Sequence, residues 1–189
     1  MSQKDKERWN KRYKSSPIMP NKAVKILRDY APLSQGKEAL DIACGRGRHA
    51  KYLAEYGFRV EALDISSVAL KELENIEGII PKEVDLDSYE LEENRYDLIV
   101  CVNYLDRKLF PKIYKALKNN GLFIFQTFIY HPDNTKAPSN RDFLLEQGEL
   151  RETFEKEYEI LYLREYWDRV VSGDKLMCGA FVGRKVIKL

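Results

Sequence analysis

Short apolar runs alternate with amphipathic segments along most of the chain. The apolar runs have the length and composition of strands, and they cover residues 38–44, 58–66, 79–87, 96–105 and 122–130. Three of them are followed by segments with apolar side chains at helical spacing, at residues 47–57, 68–78 and 109–121. Pro81 lies inside the third run, which predicts either a strand at the edge of a sheet or a strand that begins late.

Strands that alternate with helices predict a parallel sheet with helices on both faces. The end of the chain differs, because a helix at residues 148–158 is followed by two apolar strands, 159–171 and 175–189. Only Ser172-Gly173-Asp174 joins these two strands, so they must pair antiparallel. The predicted fold is therefore α/β, with a doubly wound, mostly parallel seven-stranded sheet and an antiparallel C-terminal strand.

Two more helices are predicted before the first strand. They cover residues 3–14 and 21–31, and Pro17 and Pro20 separate them. We expect residues 1–189 to form one domain, in which residues 1–32 are an N-terminal helical cap.

Composition narrows the classes of partner. With 32 basic and 30 acidic side chains and a net charge of +2, the chain lacks the charge excess typical of nucleic-acid or membrane binding. The three cysteines lie in or beside apolar runs without zinc-ligand spacing, which predicts buried free thiols and no metal. The N-terminus lacks the apolar core of a signal peptide, and no run approaches 18 apolar residues, so we expect a cytoplasmic protein.

Three aspartates mark the predicted ligand-binding edge of the sheet. Asp41, Asp64 and Asp85 lie near the carboxyl ends of the first three strands, with Gly45 and Gly47 beside the first of them. Carboxylates suit ribose hydroxyls and an ammonium group, whereas an ionised Asp41 would repel a pyrophosphate. The pattern therefore favours S-adenosylmethionine over a dinucleotide as the cofactor.

The same residues carry a family resemblance. The segment ALDIACGRGRHAKYLAEYG resembles the first motif of class I S-adenosylmethionine-dependent methyltransferases, and FRVEALDIS, VDLDSY and YDLIVCVNYL are similar to the next three. Together with FLLEQGELRETF, these segments resemble the small tellurite-resistance type of methyltransferase. The resemblance implies a Rossmann-like methyltransferase fold and S-adenosyl-L-methionine as cofactor, with S-adenosyl-L-homocysteine as product.

The resemblance also implies a role for individual residues. The methionine end of the cofactor would lie at Asp41, Gly45 and Gly47, with its carboxylate near Arg48. The ribose would lie at Asp64. The other residues that the resemblance places at the cofactor are Trp9, Tyr13, Ala43, Ile65, Asp85, Leu86 and Asn103.

The implied reaction is in-line displacement at the sulfonium methyl by a small-molecule acceptor, such as a thiol or a metalloid oxyanion. Tyr104, His131 and Arg141 are candidate substrate contacts, and no residue is assigned as the catalytic base. The polar loop at 131–147 is expected to order over the site when cofactor binds.

Two other functions remain open at this point. The GxGxxA spacing in 45–50 also fits an oxidoreductase of the NAD type, with Asp64 binding the ribose. A non-catalytic module that binds S-adenosylmethionine or a protein would need the same fold. The sequence determines neither the acceptor nor the oligomeric state.

Overall fold

The computed structural model describes residues 3–15, 22–135, 138–169 and 174–186. Seven strands in these residues form one mixed sheet in the order β3-β2-β1-β4-β5-β7-β6. Strands β1 to β5 run parallel, and β7 pairs antiparallel with both β5 and β6. This arrangement confirms the predicted fold class. The strand bounds are β1 Glu38–Ile42, β2 Arg59–Asp64, β3 Ile79–Glu83, β4 Tyr96–Val102, β5 Leu117–Phe128, β6 Tyr158–Arg169 and β7 Lys175–Lys185.

Helices cover both faces of the sheet. Alternate side chains of the central strands feed two separate cores, because successive residues of a strand point to opposite faces. Ala39 and Val100 join the core on the α3 face, whereas Leu40 and Ile99 join the core on the α5 face. The helix bounds are α1 Gln3–Ser15, α2 Lys25–Tyr30, α3 Arg48–Glu55, α4 Ser67–Leu70, α5 Leu109–Ala116 and α6 Glu149–Phe154.

Several helices are shorter than their sequence patterns predict. The segment predicted as a helix over 68–78 forms α4 and one 3₁₀ turn at Lys71–Leu73. Helix α5 ends at Ala116 and not at the Asn120-Gly121 pair, the helix end that the sequence pattern predicts for 109–121, because Leu117 is buried and already pairs with Tyr96 of β4. Residues 118–121 then bulge out before the ladder resumes, which leaves Asn120 in the left-handed region at φ 63°.

Strand β3 and the cysteines lie where the sequence predicts. Strand β3, which contains Pro81, lies at the edge of the sheet, as predicted. All three cysteines are free and buried, also as predicted. The loop at 131–147 is less irregular than expected, since it contains a 3₁₀ turn at Arg141–Phe143 and a bridge from Leu145 to Ile129. The predicted breaks at Pro17 and Pro20 and the turn at 172–173 lie outside the described residues.

No helix in the described part of the chain is long and apolar enough to cross a membrane. Over those same residues, no three His, Cys, Asp or Glu side chains are grouped in a way that could hold a metal ion.

Candidate cofactor site

The loop between β1 and α3 is built on left-handed backbone. Gly45 has φ 55° and Gly47 has φ 71°, and Ala43 adopts φ 54° without being glycine. A Cβ atom at Gly47 would lie 2.4 Å from a methyl carbon of Leu73, and one at Gly45 would lie 2.6 Å from the Tyr13 hydroxyl. Both positions therefore require glycine for its conformation and for its lack of a side chain.

Asp64, the last residue of β2, connects this loop to the next strand. Its Oδ2 accepts a hydrogen bond of 2.8 Å from the Gly45 N–H, and its Oδ1 accepts one of 2.9 Å from the Ser66 N–H. Burial raises the pKa of the Asp64 carboxyl, and these two donors act in the opposite direction. Each oxygen keeps further acceptor capacity, so the group can still bind ligand hydroxyls.

Asp41 lies beneath the loop and not at its surface. Its side chain is almost fully buried, and its Oδ2 accepts a hydrogen bond of 3.0 Å from the N–H of Ala50 in α3. Burial raises the pKa of Asp41 to about 8, so the carboxyl is mostly protonated at neutral pH. The predicted repulsion of a pyrophosphate needs an ionised Asp41, which this environment disfavours.

His49 is buried next to Asp41. Its Nδ1 lies 4.0 Å from Asp41 Oδ1, and burial lowers the pKa of the imidazole to about 3. Within the described structure, Asp41 Oδ1 and His49 Nε2 are buried without a hydrogen-bond partner. Such atoms are costly, which makes them candidate contacts for a bound ligand or water.

Helix α1 covers the glycine loop. Tyr13 approaches Gly45 through its hydroxyl and stacks on Trp9, with the ring centroids 5.8 Å apart. Arg46 donates to the Tyr13 carbonyl, which gives the loop a second contact with the helix, and it also pairs with Glu72. Burial and the nearby Asp64 raise the pKa of the Tyr13 phenol, which places Tyr13 within electrostatic reach of the carboxylate.

The residues expected around the adenine line the same edge of the sheet. Ile65 and Leu86 are buried, and Asp85 follows the end of β3, where its Oδ1 accepts a hydrogen bond of 3.0 Å from the Asp87 N–H. Asn103 is exposed just after β4 and adopts φ 60°.

Tyr104 is half-buried beside them. Burial raises the pKa of its phenol, and Asp106, Asp85 and Asp64 add to the shift. Tyr104 therefore lies within electrostatic range of Asp64 and Asp85, two of the three aspartates at the predicted ligand-binding edge.

Arg48, the first residue of α3, is also half-buried. Burial lowers the pKa of its guanidinium, whereas Asp41 and Tyr13 raise it. The structure thus brings Asp41, Gly45, Gly47, Arg48, Asp64 and Tyr13 together, with Tyr104 beside them.

Two predicted substrate contacts are engaged elsewhere. The ring of His131 packs edge-on against Trp167, with centroids 4.8 Å apart. Arg141 lies over the ring of Tyr130 and pairs with Glu146 at 2.7 Å. Both residues follow the carboxyl end of β5, and in this structure neither makes a contact with the glycine loop.

Sequence analysis did not identify Asn10 as a site residue. Asn10 lies on α1, and its Oδ1 accepts hydrogen bonds from the Ser66 hydroxyl and the Val68 N–H. A lone asparagine in a polar helix carries no periodic signal. Ser66, which Asn10 contacts, caps α4 by accepting from the Ala69 N–H.

Comparison with known proteins identifies the family. The methyltransferase domain model matches residues 17–170, so the chain belongs to the methyltransferase domain family. YqeM of Bacillus subtilis (strain 168), whose name includes the word methyltransferase, is 28% identical over 131 residues, which are 59% of this chain and 53% of YqeM. This chain spans about half the length of the curated relatives it matches.

Solved structures share the fold. TehB from Haemophilus influenzae superposes with a TM-score of 0.71 at 23% identity, over 95% of this chain and 66% of that chain. A Burkholderia thailandensis 1,6-didemethyltoxoflavin-N1-methyltransferase, solved with 1,6-didemethyltoxoflavin and S-adenosylhomocysteine bound, superposes with a TM-score of 0.63 at 20% identity, over 84% and 75% of the two chains. Their common architecture is the Rossmann-like methyltransferase fold.

Proposed function

We propose that this protein is an S-adenosylmethionine-dependent methyltransferase that acts on a small-molecule acceptor. The observation that carries the proposal is the Asp64 carboxylate, which lies at the end of β2 and bonds the N–H of Gly45 in the glycine loop. A carboxylate held in this way suits a pair of ribose hydroxyls. Membership of the methyltransferase domain family supports S-adenosylmethionine as the molecule that carries the ribose.

The residues present fit the rest of this cofactor. Gly45 and Gly47 give the loop its left-handed backbone, and the unpartnered Oδ1 of Asp41 supplies a buried acceptor for a donor group. Arg48 supplies a half-buried positive charge for a carboxylate. Ile65 and Leu86 supply apolar surface near Asp85 for a base.

When bound, S-adenosylmethionine supplies a methyl group already activated by the sulfonium charge, so the protein has to align the acceptor and exclude water. Tyr13, with Trp9 stacked on it, lies over the glycine loop from α1 and would help to exclude water. Tyr104, half-buried just after β4, can orient an acceptor through its hydroxyl.

The titration of Tyr104 narrows the class of acceptor. Its raised pKa keeps the phenol protonated at neutral pH, so Tyr104 donates a hydrogen bond and does not act as a base. The imidazole of His131 packs edge-on against Trp167 in this structure. The site therefore suits an acceptor that is already nucleophilic, such as a thiolate or a metalloid oxyanion.

The buried free thiols suit a reducing compartment, where we place the protein. We also propose that residues 1–189 act as one domain with residues 1–32 as its cap, because α1 contributes Tyr13 to the site.

A methyl-transfer assay with labelled S-adenosylmethionine tests the proposal. The panel contains thiols, metalloid oxyanions, small phenols and RNA. We expect label in a thiol or an oxyanion. Cofactor binding without transfer to any member would instead support a non-catalytic module, and transfer to RNA alone would contradict a small-molecule acceptor.

A further inference from the structure

Helix α1 is held against the site by polar contacts. None of its residues is fully buried, so the hydrophobic effect does little to fix its position. Lys6 pairs with Glu83 at the end of β3, and Arg46 donates to the carbonyl of Tyr13. Between these two contacts, the half-buried Asn10 faces the turn between β2 and α4.

The amide oxygen of Asn10 accepts two hydrogen bonds from this turn. The Ser66 hydroxyl donates at 2.7 Å, and the Val68 N–H donates at 3.3 Å. Ser66 is fully buried, and its hydroxyl also accepts from the N–H of Ala69 at 3.2 Å. The orientation of that hydroxyl is therefore fixed by a donor on one side and by Asn10 on the other.

The contact continues into the cofactor site. The backbone N–H of Ser66 donates to Asp64 Oδ1 at 2.9 Å, and Asp64 Oδ2 accepts from Gly45 at 2.8 Å. The helix returns to the same glycine through Tyr13, whose hydroxyl faces Gly45. Asn10, Ser66, Asp64 and Gly45 thus form one hydrogen-bonded chain, called here the Asn10 chain, which begins and ends against α1.

From this chain we infer that Asn10 is a positioning residue for cofactor binding. It makes the docking of α1 and the orientation of Asp64 depend on the same turn. Losing the amide oxygen frees α1 to lift and lets the Ser66 turn, and with it the Asp64 carboxylate, sample other orientations. The inference rests on the proposed function, because it concerns the same cofactor.

Asn10 is not among the residues that we place at the cofactor, so its effect on binding must pass through Ser66. A residue that only helps the fold would lower stability without changing cofactor affinity specifically. Asn10 is predicted to affect both, because its loss leaves the buried Ser66 hydroxyl without an acceptor and also frees the turn that holds Asp64. A double-mutant cycle between Asn10 and Ser66 isolates this coupling.

The experiment measures two quantities for each protein: S-adenosylhomocysteine affinity, by titration calorimetry, and melting temperature. The proteins are the wild type, Asn10→Ala, Asn10→Asp, Ser66→Ala and the Asn10→Ala/Ser66→Ala double variant. Lys11→Ala, at the exposed neighbouring position of α1, is the matched control. We expect Asn10→Ala to bind about tenfold more weakly, because the freed α1 and Asp64 turn must be ordered again when the cofactor binds, and to lower the melting temperature no more than Ser66→Ala does. Asn10→Asp keeps the accepting oxygen and should recover most of the affinity.

The outcomes separate the two claims. If the wild type binds S-adenosylhomocysteine and the double variant binds no more weakly than Ser66→Ala alone, the coupling through Ser66 is supported. If the wild type binds and Asn10→Ala binds equally well, or if the two single effects simply add, the inference about Asn10 is overturned while the proposed function stands. A wild type that does not bind S-adenosylhomocysteine overturns the proposed function itself.

Discussion

The hydroxyl of Tyr13 lies 2.6 Å from the point that a Cβ atom at Gly45 would occupy. This distance is too short for any real contact, so the cap helix and the glycine loop are fitted to each other at this point. Gly45 also donates its backbone N–H to Asp64, so the fit against Tyr13 and the hydrogen bond to Asp64 meet at one residue.

Gly45→Ala should therefore damage the site more than the backbone conformation alone explains. A non-glycine residue at φ 55° costs about 1–2 kcal/mol of folding free energy. The added methyl group also displaces Tyr13, so we expect S-adenosylhomocysteine affinity to fall as well. Calorimetry and thermal unfolding measure the two effects separately.

Gly57→Ala is the control for this prediction. Gly57 has φ 86°, but a Cβ atom there would meet nothing within 4 Å. We expect a similar loss of stability with unchanged cofactor affinity. Equal affinity losses in the two variants would show that the fit between Tyr13 and Gly45 has no role in binding.

Asp64→Asn should abolish most cofactor binding. The amide keeps the shape of the side chain, but one of its two acceptors becomes a donor that faces an N–H group. We expect at least about tenfold weaker S-adenosylhomocysteine binding. Asp97→Asn is the matched control, because Asp97 also accepts a backbone N–H, from Glu38 at 3.0 Å, but at the opposite end of the sheet. Retained affinity in Asp64→Asn would remove the main support for the site.

Much of this arrangement follows from the sequence. Parallel strands bring their carboxyl ends to one edge of the sheet, so the sequence alone predicts that Asp64 and Gly45 lie close together. The depth of Asp41 could not be predicted, because it depends on how closely α3 packs over β1 and donates the N–H of Ala50. The end of α5 was also missed, since the burial of Leu117 outweighs the local Asn-Gly signal.

The contacts of exposed polar residues were the least predictable. Asn10 reaches Ser66 across 56 positions of sequence, and nothing in a polar helix indicates which residue will do so. His131 and Arg141 were expected at the substrate because of their position after β5. Their aromatic partners, Trp167 and Tyr130, are tertiary contacts that no local pattern reveals.

Asp41 should make the stability of the protein without cofactor decrease as the pH rises from about 4 to about 8. Its pKa is about 8 in the fold and near 4 in the unfolded chain, so unfolding releases a proton between these values. A raised carboxyl pKa gives stability that is present at low pH and lost as the pH rises toward 8.

His49 acts in the opposite sense over a lower range. Its pKa falls to about 3 in the fold, so its contribution to stability is lost as the pH drops below the unfolded value of about 6.5. Between pH 6.5 and 7.5 we expect Asp41 by itself to lower the free energy of unfolding by about 1 kcal/mol per pH unit, which is the expected difference in slope between the wild type and Asp41→Asn. Denaturant unfolding of the wild type and of Asp41→Asn measures this slope. An identical slope in both proteins would contradict the assignment to Asp41.

Glu61 lies three residues before Asp64 in β2, and its side chain points to the opposite face of the strand, on the α5 side. It is buried, pairs with Lys82 and with Arg95 at 2.9 Å, and accepts a hydrogen bond of 2.7 Å from the Tyr96 hydroxyl. These partners lower the pKa of Glu61 against the effect of burial. Glu61→Ala should cost about 2–3 kcal/mol of stability, because it leaves a buried hydroxyl unpaired.

The same variant should bind S-adenosylhomocysteine as the wild type does, at a temperature where both are folded. Binding and unfolding are measured on one preparation. A large loss of affinity in Glu61→Ala would mean that the two faces of β2 are not independent, and it would weaken the assignment of the cofactor to the face of Asp64.

The central claim is that the crevice around Asp64 and the glycine loop binds S-adenosylmethionine and not a dinucleotide. Calorimetric titration of the wild type with S-adenosylhomocysteine and, separately, with NADH tests it most directly. We predict one binding site for S-adenosylhomocysteine, lost in Asp64→Ala, and no binding of NADH. Binding of NADH without binding of S-adenosylhomocysteine would contradict the claim.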